Sequence, residues 1–490
     1  MRTTKLYLSF LIALLPMMAL RAHTLPRLTV VVVVDGMELT NIERLQHVWA
    51  PGGLRTLARQ SYLCYCTYDQ LVYGGDETLA TLMTGALPAD HGYTMDGCFS
   101  RSDRTPHATL EDRRVTGIGT RQTLSPRAIA TPTLTDLVRL RYGDHAQLYA
   151  IGIRPEPTLL MAGHAANGCC WIDPQLRQWC TSSYYPRGLP AVADEHNTGG
   201  RFAQLAAEDW RPTMPIDMYG MPTPQEQKKA FSYPASAPID RTPRANSLVI
   251  DLALRLQAAQ RLGEDQVPDV LLLQLTTMTP CATSDRIRSA EQEDMYLRLN
   301  DQLGMLIDTL QRRVGKAHVN FYFVGRPVYG IGAVEMKRAG LAVQEFDLDR
   351  MAALTNTYLM ALYGNERWVD GAYGQALYLN RELIARKRLS LGEMQRQVAD
   401  FLSEFEGIHA AYTQSELLYS DMHPSLSKRH QGDVCFRLER QWILKENNLR
   451  VLDRVLEPVP ECPLFFLGNM RPANLEDRMQ ATDLLRVLGL

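Results

Sequence analysis

Leu28–Val34 is an unbroken run of apolar and β-branched residues with no alternation of polar positions. A strand that shows neither face to water reads this way, so the pattern predicts a central strand of a parallel sheet. Comparable runs recur at Val270–Leu275, Val319–Val324 and Pro463–Leu467. Between them the period changes. Ser247–Arg261 repeats apolar residues at 248, 249, 252, 254 and 256, and Glu293–Arg313 at 295, 299, 303, 306, 307 and 310, which predicts helices with one buried face. Strands alternating with helices predict an α/β fold: a doubly wound, mostly parallel sheet flanked by helices. The stretch 98–233 is richer in Pro, Gly, Tyr and Trp and reads as an irregular insertion that caps the site. A second insertion, about 338–439, carries helical patterns such as Leu391–Phe405. Both interrupt a single domain over 23–490. The first strand runs into Asp35-Gly36-Met37. Ligands of open α/β sheets bind beyond the carboxyl ends of the strands, which puts Asp35 where a site would be.

At 46% hydrophobic and 22% charged residues the chain has globular composition, and its formal net charge of -2 leaves no electrostatic footprint for nucleic acid or an anionic membrane. Arg2 and Lys5 precede an apolar run from Leu6 to Leu20, too short for a spanning helix of about 20 residues. This reads as a signal peptide over 1–22, cleaved after about Ala22, and implies a periplasmic or secreted protein with no transmembrane segment after cleavage. The nine cysteines are 64, 66, 98, 169, 170, 180, 281, 435 and 462. They lack zinc-finger spacing, and the odd count in an exported chain is read as small buried residues with one or two disulfides.

A collinear series of short segments resembles one family. Asp35-Gly36-Met37 is followed by Gly52–Leu57, Met83-Thr84-Gly85, Pro88, His91-Gly92, Ser125-Pro126-Arg127 and Thr133–Asp136. Ala162-Gly163-His164, Thr242-Pro243, Glu293–Leu299, Tyr378–Ile384, Gly432-Asp433-Val434 and Thr482–Leu485 continue the order. Together they resemble the type I phosphodiesterase/nucleotide pyrophosphatase family of the alkaline phosphatase superfamily, and within it the PafA-type bacterial alkaline phosphatases. The resemblance covers nearly the whole chain after the signal peptide. It implies an alkaline phosphatase-like fold with cap insertions. It also implies catalysis by a pair of zinc ions, held by Asp and His, that activates a Thr or Ser nucleophile and stabilises the leaving oxygen.

The residues that the resemblance assigns to that chemistry are largely replaced. Asp35 keeps the first metal-ligand position and is the one metal candidate retained. The nucleophile position, nine residues before Thr84, is Gly75, which has no side chain to react. After the second strand the family's Asp-x-x-x-His is absent, and Thr279 stands among the vestigial positions. Where the family has Asp-His-Gly after the third strand, this chain has Gly325-Arg326-Pro327, so a fixed positive charge falls where a dication would sit. The His ahead of the fourth strand is Glu461, a residual ligand at most. On the substrate side, Arg154 keeps the charge to bind an anion, Glu156 opposes it, and Asp96 stands for an Asn.

Asp90-His91-Gly92 imitates the missing motif but follows Pro88, where a turn is expected. His164 is expected to be a packed, hydrogen-bonded histidine. Thr78 and Thr81, without a metal or base beside them, are expected to be inert. Glu291–Asp294 is expected to mark the N-terminal turn of a helix. The leading reading is an exported pseudoenzyme with no cofactor, acting as a binding or assembly module for a protein or cell-envelope ligand. The runner-up is an active zinc-dependent phosphomonoesterase or phosphodiesterase with a rebuilt site. A third is a hydrolase using Asp35, Asp76 and Glu77 with a single metal of another type. Arg326 is expected to pair with Asp35 or Glu461, because a buried unpaired carboxylate loses its solvation without return.

Overall fold

The computed structural model describes residues 26–490 apart from positions 48, 73–74, 95–96, 221–230, 280–288, 327–341, 421, 427–431, 440–441, 446–456 and 459–460. The signal-peptide reading, Asp96, Cys281 and Pro327 therefore lie outside the described residues. Among the described residues no helix is long and apolar enough to cross a membrane.

Ten strands form the main sheet: β1 (Leu28–Asp35), β2 (Tyr62–Thr67), β3 (Gly117–Ile118), β4 (Leu148–Ile151), β5 (Gly168–Asp173), β6 (Gln178–Ser182), β7 (Asp269–Thr276), β8 (Val319–Arg326), β9 (Cys462–Leu467) and β10 (Arg478–Gln480). Their order across the sheet is β10-β2-β9-β8-β1-β7-β4-β5-β6-β3. The middle, from β8 through β1, β7 and β4 to β5, is parallel, while β9 runs antiparallel between β2 and β8. All eight residues of β1 are buried, as its valine run requires of a strand covered on both faces.

Helices cover the two faces. α1 (Gly53–Gln60), α4 (Pro243–Gln260) and α5 (Ala290–Val314) pack Leu54, Leu248, Leu252, Leu303 and Leu310 against Val30, Val32 and Val34. On the other side α2 (Asp76–Thr84) and α3 (Pro155–Ala162) set Leu79, Leu82, Leu159 and Leu160 against Val31 and Val33. The expected helices over 247–261 and 293–313 are α4 and α5. The fold is the predicted doubly wound, mostly parallel sheet.

The stretch read as an irregular insertion over 98–233 is less irregular than expected, because β3, β4, β5 and β6 all come from it and extend the main sheet. These strands span two to six residues, and β5 carries Cys, Trp and Asp, so no sustained apolar run announces them. The later insertion builds its own layer. A four-stranded sheet (Val369–Tyr373, Ala376–Leu379, Val434–Leu438, Ile408–Thr413, in that order) packs with helices Leu348–Tyr363 and Leu391–Ser403 around a core of Trp368, Leu377, Phe436 and Leu402. Fully buried Asp433 ties the two insertions together. It accepts from Arg381 Nε at 2.7 Å, from the Leu379 amide at 2.7 Å, and from Arg101 Nη2 at 2.8 Å, the last reaching over from the loop of the Gly97–Ala108 hairpin.

The disulfide expectation is corrected: among the eight described cysteines no disulfide is formed. Seven are buried, chiefly in β2, β5, β6 and β9, and act as small apolar side chains.

Candidate functional site

Register brings the site together. In the parallel centre of the sheet Asp35 lies directly opposite Thr276 on one side and Arg326 on the other, so three strands end at one level. Their backbones remain joined past the last pair: the Gly36 amide donates to the Arg326 carbonyl at 2.7 Å, and the Thr277 amide to the Asp35 carbonyl at 2.7 Å. Gly36 turns the chain away with φ 77°, a left-handed conformation that favours glycine.

Arg326 is 4% exposed and Asp35 2%. Arg326 donates to one Asp35 oxygen through Nε at 2.8 Å and Nη2 at 2.6 Å, and its Nη1 donates to Asp76. Asp76, first residue of α2 and 3% exposed, also accepts from Arg154 Nη2 at 2.9 and 3.2 Å. The same Arg154 nitrogen lies 3.8 Å from Asp35. Two carboxylates and two guanidiniums thus neutralise each other at the strand ends. Burial alone pushes the Asp76 carboxyl up, but Arg154 and Arg326 outweigh it and hold it below the usual carboxylate range. Burial likewise disfavours the charge on Arg326, and Asp35 and Asp76 more than restore it.

Gln274 completes the cluster. Its amide donates to the second Asp35 oxygen at 2.8 Å, while its carbonyl accepts from the amides of Ile153 (2.7 Å) and Arg154 (3.0 Å). One side chain thus orients Asp35 and fixes the loop that delivers Arg154. The sequence reading missed it, although a glutamine inside Val270–Leu275 is a polar residue in a strand buried on both faces.

Gly75 is the N-cap of α2 with φ 97°, and its amide donates to the Glu77 carboxylate at 2.7 Å. Thr78 and Thr81 are buried. The first donates to the Gly75 carbonyl and the second to Gln70. The expectation that no base stands beside them is corrected for Thr81, whose hydroxyl lies 3.2 Å from His91 Nε2. Burial pushes the His91 pKa down to about 3, however, and the Thr81 hydroxyl donates to Gln70, so neither hydroxyl is a placed nucleophile. Thr279 is buried with its hydroxyl unpartnered among the described residues. Glu461 is corrected: it is exposed and pairs with Arg478 at 3.2 Å, so it joins neither Arg326 nor any ligand set.

Zinc needs several converging His, Cys, Asp or Glu donors. Among the described residues no group of three such side chains could hold a metal ion. At the strand ends the space between Asp35 and Asp76 is taken by a guanidinium whose N–H donors face both carboxylates. A dication there would have to displace a cation already held by Asp35 and Asp76. The described residues at the strand ends do not fit the zinc pair.

The remaining motifs are structural. His91 is fully buried at the end of the short Pro88–His91 helix, and its Nδ1 accepts from the Tyr93 amide at 3.1 Å. Glu291 and Glu293 lie in the first turn of α5, behind a Ser289 cap, and Asp294 follows just past it. His164 Nδ1 lies 2.8 Å from Asp136, which closes the capping box of the Leu134–Tyr142 helix with Thr133. The hydrogen bond to Asp136, against burial, raises the His164 pKa above its ordinary 6.5. Burial acts to raise Asp136, but His164 and Thr133 lower it below 3.8. The His contribution to stability is complete below 6.5 and lost as pH rises through the higher folded value. The Asp contribution is present above 3.8 and lost as pH falls through the lower one. His164→Ala is therefore expected to cost more stability at about pH 5.5 than at about pH 8.5 in paired urea titrations. An equal cost at both would remove the ion pair from this account.

No family model matches the chain. It is 24% identical over 429 residues to alkaline phosphatase PafA of Elizabethkingia meningoseptica, covering 82% of this chain and 78% of that protein. It is 22% identical over 451 residues to alkaline phosphatase PhoV of Synechococcus elongatus, covering 85% and 80%. The crystal structure of wild-type alkaline phosphatase PafA superposes with a TM-score of 0.78 over 94% of both chains at 20% identity.

Proposed function

As a member of the alkaline phosphatase superfamily, related in sequence to PafA and PhoV, the chain carries a phosphatase scaffold, and we propose that it is an exported pseudophosphatase serving as a binding or assembly module. The observation that carries this reading is the Arg326 guanidinium held between Asp35 and Asp76. It supplies internally the positive charge that a metal would bring, but its N–H donors are already engaged by the two carboxylates and it offers no coordination site at which a hydroxyl could be ionised. Gly75 adds a second obstacle. Its φ of 97° strains any side chain, so Gly75→Thr costs about 1–3 kcal/mol of stability before its hydroxyl could act.

The purified mature protein is expected to hold far less than one equivalent of zinc by elemental analysis. Wild type and Gly75→Thr are both expected to match buffer on an aryl phosphate monoester and diester with zinc added, beside an active relative as control. Two tightly bound zinc ions per chain, or zinc-dependent turnover abolished by Asp35→Asn, would replace this reading with that of an active phosphatase whose site has been rebuilt. The phosphatase names of the relatives are what that alternative rests on.

A further inference from the structure

We propose that Asp76 is an internal anion that fills an oxyanion cradle made by Arg154 and Arg326, and that this contact keeps the wild-type chain from taking up phosphate. The inference rests on the metal-free reading of the site. Asp76 receives guanidinium N–H groups from two directions, Arg154 reaching both of its oxygens and Arg326 one. A planar guanidinium fork suits carboxylate and phosphate oxygens alike, so the donors around Asp76 are of a kind that also binds a tetrahedral oxyanion. Arg326 does not depend on Asp76 for its placement, because Nε and Nη2 remain anchored on Asp35. Arg154 is likewise placed through its backbone, which donates to Gln274. The Arg154 side chain is 38% exposed, so a solute anion has access to the cradle.

The charges point the same way. With Asp76 present, two guanidiniums face two carboxylates. Without it, Arg326 keeps Asp35, while Arg154 loses both of the carboxylate oxygens it addresses on Asp76 and Arg326 loses the one its Nη1 reaches. A free anion must now compete with a carboxylate tethered in the same chain and already seated, which is a losing contest at ordinary concentrations. The neighbouring backbone donor is closed in the same manner, since the Gly75 amide is held by Glu77.

The test uses the full mature chain, with inorganic phosphate as probe, in zinc-free buffer. Asp76→Ala and the isosteric Asp76→Asn are titrated calorimetrically and by thermal shift beside wild type. The expected result is saturable binding at least about tenfold tighter than wild type in one or both variants, a difference of about 1.4 kcal/mol, with a phosphate-dependent rise in Tm. Asp76→Ala combined with Arg154→Ala is expected to lose it. Folded Asp76 variants that bind phosphate no better than wild type would overturn the inference. So would a wild-type chain that already binds phosphate through Arg154, a measurement that stands even if the variants do not fold. Zinc bound by wild type strikes instead at the metal-free reading, so the two failures are told apart by metal content.

Discussion

Arg326→Met is expected to destabilise the protein by about 3–5 kcal/mol in denaturant titration, the range for removing one partner of a buried ion pair. Methionine fills much the same volume, so the loss is electrostatic. Asp35 would keep the Gln274 amide at 2.8 Å and Arg154 at 3.8 Å, and Asp76 would keep Arg154. Neither would have a fully buried cation. Arg326→Lys is expected to recover only part of the loss, because one ammonium cannot address two carboxylates as a fork does. Combining Arg326→Met with Asp35→Asn and Asp76→Asn should cost less than Arg326→Met alone, since no uncompensated charge stays behind. A methionine variant within about 0.5 kcal/mol of wild type, the scale of an ordinary surface substitution, would mean that the cluster is not a buried ion pair in solution.

Asp294→Ala is expected to lose about 3–5 kcal/mol and to expose the segment 207–220, which docks on α5, to proteolysis. Asp294 is fully buried just past the first turn of α5 and accepts from Trp210 Nε1 at 2.6 Å, the Thr213 amide at 2.7 Å, Tyr219 Oη at 2.7 Å and Arg298 Nε at 2.7 Å. Burial acts to raise its pKa, but the donors from Thr213, Trp210 and Arg298 together lower it below the ordinary range. Trp210 and Tyr219 are themselves buried, so truncation strands two polar groups away from water. The neighbouring Glu293 fastens the same stretch, through the Gly220 amide at 2.9 Å and an ion pair with Arg44. Faster cleavage within 207–220, with the main sheet intact by circular dichroism, is the signature sought. Unchanged cleavage would show that these residues dock without Asp294.

The central strands were legible because a strand buried on both faces has no choice but to be apolar throughout, and Leu28–Val34 meets that demand without interruption. The short β4 and β5 were not: both are buried throughout inside the sheet, but four or six residues make no long run, and β5 fills its positions with Cys, Trp and Asp. Within the site, Asp35 and Arg326 followed from position and charge: a strand end in an α/β sheet, and a cation where a buried carboxylate needed one. Asp76 entered only as a metal donor, because its pairing depends on the register between β1 and β8 and on where α2 begins. Glu461 was misplaced for the converse reason. It sits next to β9, whose antiparallel course does bring its N-terminal end to the Arg326 end of β8, with Leu464 opposite Val324, yet the Glu461 side chain is exposed and pairs with Arg478 instead.

Because Arg326 serves two acids at once, the cluster behaves as a ratchet in descent. Exchanging the arginine first leaves paired acids without their cation, and exchanging an acid first leaves excess positive charge. Either step removes several kcal/mol from a folded state whose whole margin is about 5–15 kcal/mol. A lineage that has installed this cluster can drift freely at its surface, but replacing the cluster would require several coordinated substitutions with a poorly folded intermediate between them.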